Sequence, residues 1–181
     1  MPPEQPLLQI ENLAVTFPAR GQSRREPTQR VHAVQDVNLT IYPQQTLAVV
    51  GESGCGKSVT AMSILRLVPE PPAHYPGGQI LWRRHADAPP TNLRTLSEAQ
   101  MRQIRGNQIA MIFQEPMTSL NPVYTIGEQI MEAILLHQSV ARAQAQQIAA
   151  QALREVGIAD PESRLRDYPH QLSGGMRQRI M

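Results

Sequence analysis

Cysteine is nearly absent from this chain of 181 residues: Cys55 stands alone. A single thiol excludes an internal disulfide and any metal site built on several cysteines, and it points to a cytosolic, reducing compartment. Long apolar runs are missing too, and none approaches the length that crosses a bilayer as a helix. The first residues, Met1-Pro2-Pro3-Glu4-Gln5, are polar and hold no apolar signal core. Charge is scarce. Charged residues make up 18% and the formal net charge is +2, which gives no case for nucleic acid as a partner. No internal repeat is visible. What is there is 41% hydrophobic residues over a length that can enclose one core, so the chain reads as a globular domain.

Residues 7–17 alternate loosely and predict a strand. Residues 31–41 alternate again, with Val31, Ala33, Val34, Val37, Leu39 and Ile41 as the apolar set. The polar stretch 18–30 between them predicts an exposed loop. After a turn at Tyr42-Pro43-Gln44-Gln45, the run Leu47-Ala48-Val49-Val50 predicts a buried strand. Two strands ahead of it suggest an antiparallel element beside a parallel one. A helix is expected from Lys57, carrying Met62, Ile64, Leu65 and Val68 and stopped by Pro69. Residues 77–82 predict a turn into a strand, and residues 83–95 an irregular insertion. Ser97-Glu98-Ala99-Gln100 fits a capping box that opens a short helix. Ile109-Ala110-Met111-Ile112-Phe113 predicts another buried strand. Beyond it only helices are expected. One runs from about 125 to 137, with Ile126, Ile130, Ile134 and Leu135 on one face. Another carries Ala145, Ile148, Ala149, Ala152, Leu153 and Val156, with Ser139 as N-cap and Gly157 past its end. The chain therefore reads as an α/β core over about 7–114 and a helical subdomain over about 115–181.

Chemistry concentrates between the predicted strand at 47–50 and the helix from Lys57. Gly51, Gly56, Lys57 and Ser58 fit G-x-x-x-x-G-K-[ST], the P-loop pattern. Small residues let backbone N–H groups point at a phosphate oxygen without a Cβ in the way, and the helix N-terminus adds partial positive charge. Lys57 is placed to reach β- and γ-phosphates, and the Ser58 hydroxyl to take Mg²⁺. Glu52, Ser53, Gly54 and Cys55 form the rest of the cradle, with Val59 just behind it. A glycine-rich strand-to-helix turn with no ligand would carry similar glycines; the flanking strand and helix are the context that separates the two. The pattern by itself fits kinases, GTPases and helicases alike.

Leu172-Ser173-Gly174-Gly175-Met176-Arg177-Gln178-Arg179 narrows the field. LSGG followed by x-R-Q-R, downstream of a P-loop and a helical segment, resembles the signature motif of ATP-binding cassette (ABC) proteins. The resemblance covers about 7–181. It implies a P-loop NTPase fold of the cassette type, and a head-to-tail dimer in which each ATP lies between the P-loop of one cassette and the signature of a second. Ser173, Gly174 and Gly175 would then face the nucleotide of the partner cassette. Gln114, after the predicted strand at 109–113, takes the place of the family's Q-loop glutamine, near Mg²⁺ and the attacking water. Phe17 takes that of an adenine-stacking aromatic, although a plain core or loop Phe reads equally well. Gln114-Glu115-Pro116-Met117-Thr118-Ser119-Leu120-Asn121-Pro122 and Ile126-Gly127-Glu128-Gln129-Ile130 resemble the peptide/nickel-type importers. So do Gly51-Glu52-Ser53-Gly54 and Tyr168-Pro169-His170-Gln171. Within that branch, Arg83-Arg84, Met101 with Arg105-Gly106, and Leu136-His137-Gln138 are similar to the glutathione-importing members.

The resemblance implies an ATP- and Mg²⁺-dependent subunit that drives uptake of glutathione or other peptides. Its expected place is the cytoplasmic face of a bacterial inner membrane, bound peripherally to two membrane permease subunits and served indirectly by a periplasmic binding protein. A nucleotide-binding remnant without catalysis, and a non-transport cassette ATPase, are the alternatives; the stretch from Gln114 to Pro122 weighs against the last. The 181 residues stop just after the signature. The family's strand ending in Asp-Glu and its switch histidine are not among them, so ATP binding without efficient hydrolysis is expected. Loss of a central parallel strand is also expected to leave apolar surface exposed and the isolated chain unstable.

Overall fold

The computed structural model describes residues 5–19, 29–85, 87–114 and 119–181. The chain divides into two compact units, Met1–Arg102 and Gln103–Met181.

The first unit is built on an antiparallel sheet. Strands β1 (Leu8–Pro18), β2 (Arg30–Ile41), β3 (His74–Trp82) and β4 (Thr91–Asn92) lie in the order β2-β1-β3-β4. Both expected N-terminal strands form, and β1 sits between β2 and β3, with Ile10 facing Leu39 on one side and Ile80 on the other. Ile10, Leu13, Val15 and Ile80 are almost wholly buried, so the alternation in β1 is that of a strand with one face in the core. Gly77 and Gly78 lie inside β3 and not in a turn before it. Gly78 has φ +90, and a Cβ there would stand 2.5 Å from the Asn12 carbonyl oxygen. The ladder shifts register between Glu11 and Ala14 at this point, so the glycine pair marks a bulge set by the neighbouring strand. The insertion at 83–95 is only partly irregular: it supplies β4, a 3-10 turn at Leu93–Thr95, and Leu93 as a fully buried side chain. The loop expected at 18–30 lies largely outside the described residues.

Helix α1 spans Lys57–Ile64 and ends sooner than its apolar pattern predicts. Leu65 caps it and Arg66 turns left-handed at φ 52, ahead of Pro69. Its buried residues are Thr60 and Ser63, while Met62 and Ile64 are only half-buried. Helix α2 (Glu98–Ile104) starts where the capping box places it. Ser97 N–H donates to Gln100 Oε1 at 2.8 Å and Gln100 N–H donates back to Ser97 Oγ at 3.3 Å. The division between units falls within α2.

Two expected strands are not formed. Residues 47–50 carry no ladder, and Val50 is 91% exposed; residues 109–113 carry only an isolated parallel bridge, Arg105 to Ile109, with Ile112 82% exposed. A parallel strand takes its backbone bonds from neighbours on both sides. Neither stretch has such a neighbour among the described residues, and neither forms a strand.

The second unit is helical: α3 (Ile126–His137), α4 (Arg142–Glu155), α5 (Pro161–Arg164) and α6 (Gly174–Ile180). Its core is Met131, Ala145, Ala149, Ala150, Leu153, Ile158 and Leu165. The alanines on α4 allow α3 to approach closely. The N-terminal amides of α3, which have no partner within the helix, are taken up by the chain beyond α5: Ile126 N–H donates to Asp167 O at 2.9 Å and Gly127 N–H to Leu165 O at 2.8 Å. Ser139 does not cap α4. The helix begins after Ala141, which makes no side-chain cap bond, and Gly157 ends it at φ +72 as expected.

Thr125 and Glu128 form a reciprocal capping box at the start of α3. The Thr125 backbone N–H and its hydroxyl each donate to Glu128 Oε2 at 2.9 Å. These bonds, the backbone one foremost, with Arg142 adding a weaker attraction, hold the Glu128 carboxyl below the ordinary glutamate range. A lowered folded-state pKa contributes stability that is present above the unfolded value and lost as pH falls through the folded one. Unfolding midpoints measured down from neutral pH should therefore show a Glu128-dependent loss that begins below about 4.3, the unperturbed glutamate value. Glu128→Gln should flatten that part of the profile, and an unchanged profile would rule the linkage out.

Candidate P-loop and signature site

The loop from Gly51 to Gly56 turns on left-handed glycines at Gly54 (φ +85) and Gly56 (φ +92). Gly56 is the N-cap of α1, and it is tightly enclosed: a Cβ there would stand 2.3 Å from the Ala33 carbonyl oxygen of β2 and 3.4 Å from Val34 Cγ2. Glycine is thus required twice at this position, for conformation and for space. Thr60 reaches back one turn and donates its hydroxyl to Gly56 O at 3.0 Å, fixing the carbonyl at the helix start. Thr60 was not foreseen as part of the site, although a polar residue on the buried face of α1 was the available signal.

Lys57 bends into the loop. Its Nζ donates to Gly51 O and Glu52 O, both at 2.7 Å, and lies 3.4 Å from Cys55 Sγ. The ammonium therefore sits inside the ring of backbone that the sequence pattern predicts as a phosphate cradle. Glu52, Ser53 and Cys55 are exposed around it, Ser58 is exposed on the first turn of α1, and Val59 is half-buried behind. Phe17 is half-buried in β1, opposite Val31 of β2. These residues all belong to the first unit.

Gln114 and the signature belong to the second. Gln114 is exposed and follows an unladdered stretch, not a strand. Residues 115–118 lie outside the described residues. The chain just beyond is held from α3. Gln129 on α3 accepts from Asn121 N–H at 2.8 Å and donates to Asn121 O and Tyr124 O, each at 3.0 Å, leaving Val123 and Tyr124 exposed on a fixed loop. Ser173 caps α6, accepting from Met176 N–H at 3.3 Å. Met176 and Ile180 pack against the helical core, and Arg179 donates to Gly157 O at 2.9 Å, at the end of α4. The helix is thereby anchored on its far side, and Ser173 and Gly175 face outward. A Cβ on Gly175 would meet nothing within 4 Å, so no packing inside the chain requires glycine there.

The family model described as "ABC transporter" matches residues 34–181. The chain belongs to the ABC transporter family. This cassette is 55% identical, over 149 residues, to a protein of Sinorhizobium fredii named "Probable peptide ABC transporter ATP-binding protein"; the match covers 82% of this chain and 43% of that protein. It is 48% identical to the peptidoglycan transport ATP-binding protein of Agrobacterium fabrum, over 98% of this chain and 30% of that one. To the glutathione import ATP-binding protein of Salmonella typhimurium it is 47% identical, over 97% of this chain and 27% of that one. The cassette thus spans less than half of each of these relatives. Among solved structures, a dimeric post-hydrolysis state of the ATP-binding cassette MJ0796 bound to ADP and Pi matches at a TM-score of 0.71 and 21% identity, over 96% of this chain and 66% of that one. The fold is that of a P-loop NTPase of the cassette type, with the antiparallel sheet and the helices in place. Among the described residues no helix is long and apolar enough to cross a membrane.

Proposed function

We propose that this chain is part of the ATP-binding subunit of an importer for peptides, of the glutathione or di- and oligopeptide kind, and that its P-loop holds the phosphates of ATP. The observation that carries the reading is Lys57, whose ammonium is drawn into the loop by the Gly51 and Glu52 carbonyls at the start of α1. The same position serves a β- or γ-phosphate once the lysine exchanges those carbonyls for phosphate oxygens. Glu52, Ser53, Gly54, Cys55, Gly56 and Val59 form the cradle, and Phe17 supplies an aromatic edge for the adenine. Among the described residues no three acidic, histidine or cysteine side chains converge on a metal position. Mg²⁺ keeps its waters and binds through phosphate and one or two protein groups, and Ser58, exposed on the first turn of α1, is the group of this unit that offers it a hydroxyl.

The signature supports a composite site. Gly175 answers no steric need within the chain, and glycine beside a helix N-cap admits a close anion. Ser173, Gly174 and Gly175 serve the nucleotide of a second cassette. The fixed loop with exposed Val123 and Tyr124 offers an apolar contact to two membrane permease subunits. The subunit works peripherally at the cytoplasmic face of the inner membrane, fed indirectly by a periplasmic binding protein. Its ATP-binding core runs over about 7–114 and its helical subdomain over about 115–181.

Titration with a fluorescent ATP analogue tests the reading. Lys57→Ala should weaken binding by about 10- to 100-fold, the loss of a charge-assisted bond of about 1.5–3 kcal/mol. Equal affinity in the variant would remove Lys57 from the site and the reading with it.

A further inference from the structure

The P-loop helix is held at both ends by the antiparallel sheet, and the hold at its far end is a hydroxyl pair. At the near end, Gly56 abuts Ala33 of β2. At the far end, Ser63 is completely buried, and its Oγ donates to Val59 O at 2.7 Å. That leaves the Ser63 oxygen as acceptor for the Tyr75 hydroxyl of β3 at 3.0 Å. Tyr75 is itself fixed. The Arg94 guanidinium lies over its ring, 4.3 Å from the centroid, and donates to Gly78 O at 3.1 Å and Gly77 O at 3.4 Å. Those two carbonyls belong to the bulge that locks β3 onto β1. A continuous set of contacts therefore runs from the sheet bulge through Arg94, Tyr75 and Ser63 to the last turn of α1.

The aim of the α1 N-terminus is therefore set from both ends, and the far end is where a single hydroxyl pair joins helix to sheet. A cavity of about 230 Å³, lined by Ser63, Arg66, Tyr75, Arg94 and Glu98 among others, opens beside the junction. The hydroxyl pair is a direct link between α1 and β3 at this junction. We propose that Tyr75, oriented by Arg94, is a positioning residue for nucleotide binding: through Ser63 it fixes the axis of α1 and hence the direction in which the P-loop amides and Lys57 point. This rests on the P-loop being the nucleotide site.

Two measurements on the full chain test it. In nucleotide titrations, Tyr75→Phe and Ser63→Ala should each weaken ATP-analogue binding about two- to tenfold, the range of one net hydrogen bond. The double variant should be no weaker than the worse single one, because both remove the same bond. In hydrogen exchange without nucleotide, the amides of residues 57–60 should exchange faster in Tyr75→Phe. Unchanged affinity and unchanged exchange in Tyr75→Phe, or additive losses in the double variant, would overturn the proposal. A wild-type chain that binds no nucleotide would defeat the P-loop reading instead, and the exchange measurement would still decide whether Tyr75 positions α1.

Discussion

Gly56→Ala is expected to abolish nucleotide binding and to destabilise the first unit by about 3 kcal/mol or more. Two costs coincide in this substitution. Alanine at φ +92 is held in a backbone region that L-residues rarely occupy, and its methyl carbon would lie 2.3 Å from the Ala33 carbonyl oxygen. That oxygen is backbone in a laddered strand and has no rotamer by which to withdraw. Relief must come from displacing the start of α1, which moves Lys57, Ser58 and the loop amides together. Gly51→Ala is the informative contrast. There the added carbon meets Cys55 Sγ at 2.7 Å, the end of a side chain that can swing into solvent. Urea denaturation and nucleotide titration of the two variants should separate them clearly, and a Gly56→Ala chain with a wild-type midpoint would contradict the steric account.

Leu153→Ala should cost about 2–5 kcal/mol in the second unit, toward the upper end of that range. Leu153 is 1% exposed and lies among Met131, Ala145, Ala149, Ile158 and Leu165. Two of these neighbours are alanines, which have no side-chain freedom to fill a void, so little of the cavity can collapse. The effect should reach the signature helix, because Met176 and Ile180 rest on the same cluster. Urea unfolding monitored by circular dichroism would report the stability, and hydrogen exchange of residues 176–180 would report the loosened helix. A shift below about 1 kcal/mol would mean that the cluster repacks.

What the sequence reveals depends on how local each interaction is. Helix α3 is legible because its start is encoded within four residues, Thr125 to Glu128, and its face by regular apolar spacing. The glycine loop is legible because its pattern is local: Gly54 and Gly56 take left-handed backbone within one short turn. Ser139 misleads, since a hydroxyl at the right distance from a helix says nothing of whether the chain bends there; it bends two residues later, at Ala141. Gly77-Gly78 looks like a turn because what makes it a bulge is Asn12, more than sixty residues away. The runs at 47–50 and 109–113 are the clearest case. Their composition is that of buried parallel strands, but a strand is a relation between segments, and no neighbour for either stands among the described residues. The Ser63–Tyr75 bond is invisible for the same reason, and the apolar pattern of α1 points instead to Met62 and Ile64.

The two 2.7 Å bonds from Lys57 to its own loop have a consequence for which anions the cradle accepts. The ammonium is already solvated by protein, so an incoming ligand does not fill an empty position; it competes for an occupied one. Chloride or a lone inorganic phosphate would have to strip two charge-assisted bonds while offering few contacts to the loop amides beyond the lysine. A triphosphate bound as proposed would reach the lysine and the loop amides at once and replace the bonds it displaces. On the proposed reading, the folded-back lysine is a threshold against small, abundant anions, and chloride or inorganic phosphate should compete only weakly with the ATP analogue.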